Sequence, residues 1–208
     1  MARYGIQTRN ALGLPIPKLR KLAKEIGKNH SLSLQLWRTG IHEARILASI
    51  IAEPSESTEE QLEEWVKDFN SWDLCDQCCI NFFSKTKWTH KKVMDWTKND
   101  SEFIKRAGFV LMVVRAVHDK SVTDEILMKY FSIMEEESDD ERNYVKKAVN
   151  WALRQIGKRN INLNHLAIRT AQKILAKEAR SAKWIASDAL RELTSEKIQL
   201  QLKAQEQK

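Results

Sequence analysis

The chain has 208 residues, 42% of them hydrophobic and 30% charged, enough apolar material for one buried core and too much for a disordered chain. Thirty-five Lys and Arg against twenty-eight Asp and Glu give a net charge of +7, a moderate basic excess that suggests a polyanion partner. The longest apolar run, Phe109–Val114, is far too short to span a membrane, and Met-Ala-Arg-Tyr-Gly at the start has no signal-peptide core. A soluble, cytoplasmic, monomeric protein without a membrane partner is expected.

In chain order, residues 1–16 form an N-terminal segment ending at Pro15-Ile16-Pro17, a natural helix start. Leu19, Leu22, Ala23 and Ile26 then fall at i, i+3, i+4 and i+7, so 18–28 is read as a helix. The rest reads as five helix pairs: 31–38 with 42–52, 58–69 with 71–85, 89–99 with 101–117, 122–135 with 140–157, and 162–177 with 181 to about 202. Thr58 and Gln61 have capping-box spacing, and a polar tail from about 203 to 208 is expected to fray. No proline follows residue 54, which favours helices over strands throughout. One domain, 1–208, is expected.

The only cysteines are Cys75, Cys78 and Cys79. The C-x-x-C has no second pair and no histidine at ligand spacing, so these read as small buried apolar residues, with no metal and no cofactor expected. The same stretch opens with Ser71-Trp72-Asp73-Leu74-Cys75-Asp76. Ser71 suits a helix N-cap, and Asp73 then sits near the positive end of the helix dipole. Trp72 and Asp76, four apart, share one face. An indole beside a carboxylate can stabilise a small cation. The plainer reading of the spacing is a buried tryptophan with a surface aspartate nearby.

The pairs repeat. Phe103-Ile104-Lys105-Arg106-Ala107 and Tyr144-Val145-Lys146-Lys147-Ala148 match in register. Their offset of roughly 40 residues is the period of stacked HEAT-type repeats. Weaker echoes are Glu43-Ala44-Arg45 and Lys183-Trp184-Ile185-Ala186. Such pairs stack into an all-α, right-handed superhelix with a concave face lined by the second helix of each pair. That face would gather Trp72, Asp76, Lys105, Arg106, Lys146, Lys147, Trp151, Arg154 and Lys183. A basic residue repeated once per unit suits the phosphate track of duplex DNA. The acidic runs within 59–64 and 135–141 would leave the remaining surface more basic than the average.

Together these residues resemble the AlkD-type DNA glycosylases of the DNA alkylation repair group. The carriers are Met1-Ala2-Arg3-Tyr4 with Gly13, Pro17-Lys18-Leu19-Arg20, Ser71-Trp72-Asp73 with Asp76, Lys105-Arg106-Ala107, and Val145 through Arg154. The resemblance implies a HEAT-like solenoid that binds duplex DNA and excises cationic alkylpurines, chiefly 3-methyladenine and 7-methylguanine, without a metal or organic cofactor. It implies that Asp76 is the catalytic carboxylate, that Trp72 and Trp151 are aromatic walls at the lesion's sugar, and that Arg106 contacts DNA beside the carboxylate. Tyr4 would line the same cleft, and Lys105, Lys146, Lys147, Arg154 and Lys183 would hold DNA.

The chemistry suits these residue types. A cationic purine is a good leaving group, so no general acid is needed. Stabilisation is needed where charge develops, on the deoxyribose oxocarbenium ion, and a carboxylate there can also orient water. The alternative is a HEAT-repeat scaffold without catalysis that binds nucleic acid or a protein.

Overall fold

Apolar residues at three- and four-residue spacing fold almost the whole sequence into helices. The computed structural model describes residue 6 and residues 9–206, with twelve α-helices and no strand among them. Contacts divide the chain into two units, residues 1–94 and 95–208. No helix among the described residues is long and apolar enough to cross a membrane.

The first unit holds α1 (Ile16–Ile26), α2 (His30–Arg38), α3 (His42–Ile51), α4 (Glu59–Lys67) and α5 (Trp72–Asn81), and α6 (Thr89–Trp96) carries the boundary. α3 packs against α1, α2 and α5. Gly40, at φ +69°, makes the turn from α2 into α3, a conformation that costs glycine nothing. Aromatic rings fill the unit. Trp37 and Trp65 stack at 4.0 Å, with Phe69, Phe82 and Phe83 around them. This packing ends α5 early. Phe82 leaves helical geometry, and the helix expected to run to residue 85 becomes a 3-10 turn at Phe83–Lys85, with both phenylalanines fully buried.

Glu43 ties the start of the chain to α3. Its side chain accepts the N–H groups of Leu12 and Gly13 at 2.7 Å and of Leu14 at 3.2 Å, and the residue is 2% exposed. Burial pushes its carboxyl up, but the backbone donors outweigh burial and hold it below the usual carboxylate range.

The second unit holds α7 (Glu102–His118), α8 (Asp124–Glu136), α9 (Asn143–Gly157), α10 (Ile161–Leu175), α11 (Arg180–Leu193) and α12 (Glu196–Glu206). The second helices form one layer, α7 on α9 on α11, with α8 against α10 beside it. Ala107, Ala148, Ala152, Ala182, Ala186 and Ala189 are fully buried in this layer and let the axes approach closely. Phe103 and Tyr144, the matched aromatics of the repeat, stack at 5.5 Å.

The repeat period appears directly as contact spacing. In the second unit Tyr144 N–H donates to Glu102 Oε1 across 42 residues, Arg106 to Tyr144 O across 38, Ser181 Oγ to Ser138 O across 43, and Asn150 Nδ2 to Ile185 O across 35. The first unit is tighter, with His42–Asp73 and Trp37–Asp68 each 31 apart and Lys92 bonding Glu59 and Glu63 at 33 and 29.

The helix expected from 181 to about 202 is two helices. Thr194 and Ser195 turn their hydroxyls back onto Leu190 O and Glu192 O and close α11. α12 restarts, burying Ile198 and Leu202, and Gln199 Nε2 donates to Leu193 O at 2.7 Å. It runs through Glu206, so the tail expected to fray from 203 is helical that far. Of the expected capping box, Thr58 Oγ1 accepts from Gln61 N–H at 3.1 Å.

Gly108 sits where α7 meets backbone. A Cβ there would lie 2.7 Å from both the Thr97 N and Cγ2 atoms. Gly108→Ala is expected to destabilise by about 1–3 kcal/mol in chemical denaturation, because backbone cannot yield and the crowding outweighs alanine's better helix propensity. Glu43→Gln is expected to cost about 1.5–3 kcal/mol, the worth of hydrogen bonds to a charged group. Because the folded carboxyl lies below its unfolded value of about 4.3, Glu43 stabilises fully above that pH and progressively less as pH falls through the folded value. An acid titration of unfolding should therefore lose its Glu43 component in the variant.

Candidate catalytic and DNA-binding residues

The candidate carboxylate lies on α5 in the first unit. Asp76 is only 8% exposed and Trp72, one turn earlier, is half-buried. The reading of Asp76 as a surface aspartate is therefore wrong. Its neighbours along the helix are Cys75, Cys78 and Cys79, all fully buried. Burial pushes the Cys79 thiol well up, and Cys75 and the charge of Asp76 push it further. Burial raises the Cys78 thiol too, and all three side chains are fully buried as packing groups.

The start of α5 is held differently from expectation. Ser71 occupies the N-cap with extended backbone, but its hydroxyl makes no capping bond. Asp73 instead reaches across to α3, where His42 Nε2 lies 2.8 Å from its Oδ2. Burial pushes the Asp73 carboxyl up, yet the His42 bond and charge prevail and hold it below its ordinary range. His42 is itself 6% exposed, so the pair fixes the turn that carries Trp72 against α3.

The remaining candidates lie on the second unit, apart from Tyr4, which falls outside the described residues. Arg106, 6% exposed on α7, donates to Tyr144 O at 2.8 Å in the first turn of α9. Two turns along α9, Trp151 is half-buried. With the Gln155 amide turned to satisfy its neighbours, Gln155 accepts from the Trp151 indole N–H at 3.3 Å and from Lys158 at 3.2 Å.

The expected basic track divides in two. Lys105 is 8% exposed, with Nζ 2.5 Å from Glu137 and 3.4 Å from Asp140. Arg154 is likewise bound, to Glu192, Asn150 and Asp188. Both charges are paired inside the unit. Lys147 and Lys183 are exposed and carry no ion pair among the described residues. Lys146 is half-buried, with its ammonium 5.8 Å from the ring centre of Trp184.

The acidic runs account for the difference. Instead of leaving the other surface more basic, they neutralise lysines one repeat away. Glu59 and Glu63 hold Lys92, Glu137 and Asp140 hold Lys105, and Glu135 and Asp139 hold Lys173 and Lys177. Sequence reading also passed over Trp184, treating it only as part of a repeat echo. It is 41% exposed, against 2–5% for Trp37, Trp65 and Trp96.

The fold has a solved counterpart. A structure described as "a new family of proteins related to the HEAT-like repeat DNA glycosylases with affinity for branched DNA structures" matches with a TM-score of 0.75 at 17% identity, covering 92% of this chain and 86% of that one. At that identity the likeness is one of fold, all-helical and HEAT-like. No curated protein matches the sequence. The family model described as DNA alkylation repair enzyme matches residues 1–193, nearly the full length, and the chain belongs to that family.

Proposed function

We propose that this protein excises cationic alkylpurines such as 3-methyladenine and 7-methylguanine from duplex DNA by hydrolysing the N-glycosidic bond. The observation that carries the reading is Asp76, a carboxylate withdrawn to 8% exposure one helical turn from a half-buried indole. Water screens a charge poorly at such a depth, so its attraction for a nearby oxocarbenium ion is far greater than at the surface. In this reading Asp76 stabilises the sugar cation and orients the attacking water. Trp72 supplies a ring face, worth about 1–2 kcal/mol to a desolvated cation. The leaving base is already charged and departs without a proton, so one carboxylate suffices. The proposal extends the same roles to Trp151 as a second ring and to Arg106 as a phosphate contact. DNA is held through exposed lysines, chiefly Lys147 and Lys183.

A second reading is favoured by the ion pairs of Lys105 and Arg154, which leave fewer free cations than a continuous duplex track needs. In it the protein binds DNA with branched or otherwise irregular form, as the related structure's description says of that family, and excises nothing.

Release of 7-methylguanine from methylated duplex DNA decides between them. Wild-type protein is expected to release the base, and Asp76→Asn to lower the rate about 10²–10³-fold while still binding DNA. Equal release by both would remove Asp76 from the chemistry. No release by wild type, with binding intact, would leave the second reading.

A salt titration tests the division of the lysines. Lys147→Ala and Lys183→Ala are each expected to lower the slope of log K against log[salt] by about 1, and Lys105→Ala to leave it unchanged while lowering thermal stability.

A further inference from the structure

Trp184 has an unusual setting for a helical tryptophan. It lies in the second turn of α11, 41% exposed, while Ala182, Ile185 and Ala186 around it are fully buried. The helix beneath is therefore rigid, and Asn150 Nδ2 fixes it further by donating to Ile185 O at 3.1 Å. The indole itself fills no cavity. Beside it lies a cation, the Lys146 ammonium of α9, 5.8 Å from the ring centre. Arg180 and Lys183 on α11 and Lys147 on α9 are exposed. The acidic side chains nearest Trp184 in sequence are Asp188, which pairs with Arg154 and Arg191, and Glu178. Glu141, near Lys146 in sequence, accepts the Ser181 N–H at 3.0 Å. The start of α11 adds its own partial positive charge.

An open aromatic ring on a well-packed helix, with one cation beside it and exposed basic residues nearby in sequence, matches one kind of ligand, a flat base joined to phosphates. We propose that Trp184 is a stacking platform for an unpaired DNA base, with Lys146, Lys147, Lys183 and Arg180 taking the flanking phosphates. A paired base inside a duplex has both faces covered by its neighbours and cannot stack here. A base in a single strand, at a branch or at an end has a face to offer. The site therefore selects by the availability of a base face, not by sequence. It rests on the DNA binding proposed above but not on excision, and involves neither Asp76 nor Trp72.

The test measures anisotropy of labelled single-stranded, three-way-junction and duplex DNA of matched length. Trp184→Ala is expected to weaken single-strand and junction binding about 5- to 100-fold. Duplex binding should stay within about twofold. Trp184→Phe should restore most of the loss, since it keeps a ring without the indole's size. Equal loss on all three DNAs, or none on the single strand, overturns the platform. So does a shift in self-association of Trp184→Ala by light scattering with DNA binding unchanged, because the ring would then cover a second copy. If wild type binds single strands through Trp184 yet releases no alkylpurine, the platform stands and the glycosylase reading falls.

Discussion

Close approach of successive second helices is the constraint on which the second unit depends. Alanine recurs where α7, α9 and α11 meet, and each of these alanines is fully buried. Small side chains bring the backbones near enough for polar groups on one helix to reach the next. That is why Arg106 meets the Tyr144 carbonyl and Asn150 meets that of Ile185. Larger residues at these positions would separate the axes and leave buried donors unpaired, a loss greater than the packing alone. Helix spacing and the hydrogen-bond network therefore stand or fall together, as expected of repeats stabilised through nearest neighbours.

The same arrangement decides where charge is spent. A lysine facing the next repeat meets whatever that repeat presents. Lys105 meets Glu137 and Asp140, and Arg154 meets Glu192. Half-buried pairs of this kind gain little net stability, because desolvation offsets the attraction. They do hold neighbouring repeats in register, since a shift by one residue would separate the partners. The net charge of +7 overstates the basic surface open to a polyanion. Lys147 and Lys183, exposed and without an ion pair among the described residues, belong to that open surface.

Much of this was legible in sequence. The helix pairs, their period near 40 residues and the shared Ala107 and Ala148 positions are written in local spacing, and the second unit follows that period while the first is tighter. What was not legible depended on partners distant in sequence. Whether Lys105 is free depends on residues 32 positions away, and nothing near it in the chain says so. Ser71 reads as a cap, but the bond that anchors its helix runs from the next turn to His42. The break at Thr194-Ser195 carries neither glycine nor proline, and hydroxyl groups folding back on carbonyls end the helix instead. Trp184 was overlooked because helical tryptophans are usually core residues, and only the fold shows its exposure. For the candidate site, the burial of Asp76 beside a half-buried Trp72 was not settled by their four-residue spacing, which fits a surface aspartate equally well.

Two carboxylates on α5 sit in different surroundings although they share one helix. Asp73 and Asp76 are three residues apart, and both are largely withdrawn from water. Asp73 is committed to the His42 ring, and its carboxyl is held below the usual range by that bond against the push of burial. It fastens the start of α5 to α3 and so fixes the backbone from which Trp72 projects. Asp76 lies a turn further along, beside the buried Cys79 thiol, which burial pushes up first and Cys75 and the charge of Asp76 push further. The anchor one turn earlier fixes the backbone that carries both Trp72 and Asp76, and their four-residue spacing keeps the two side chains on one face of α5.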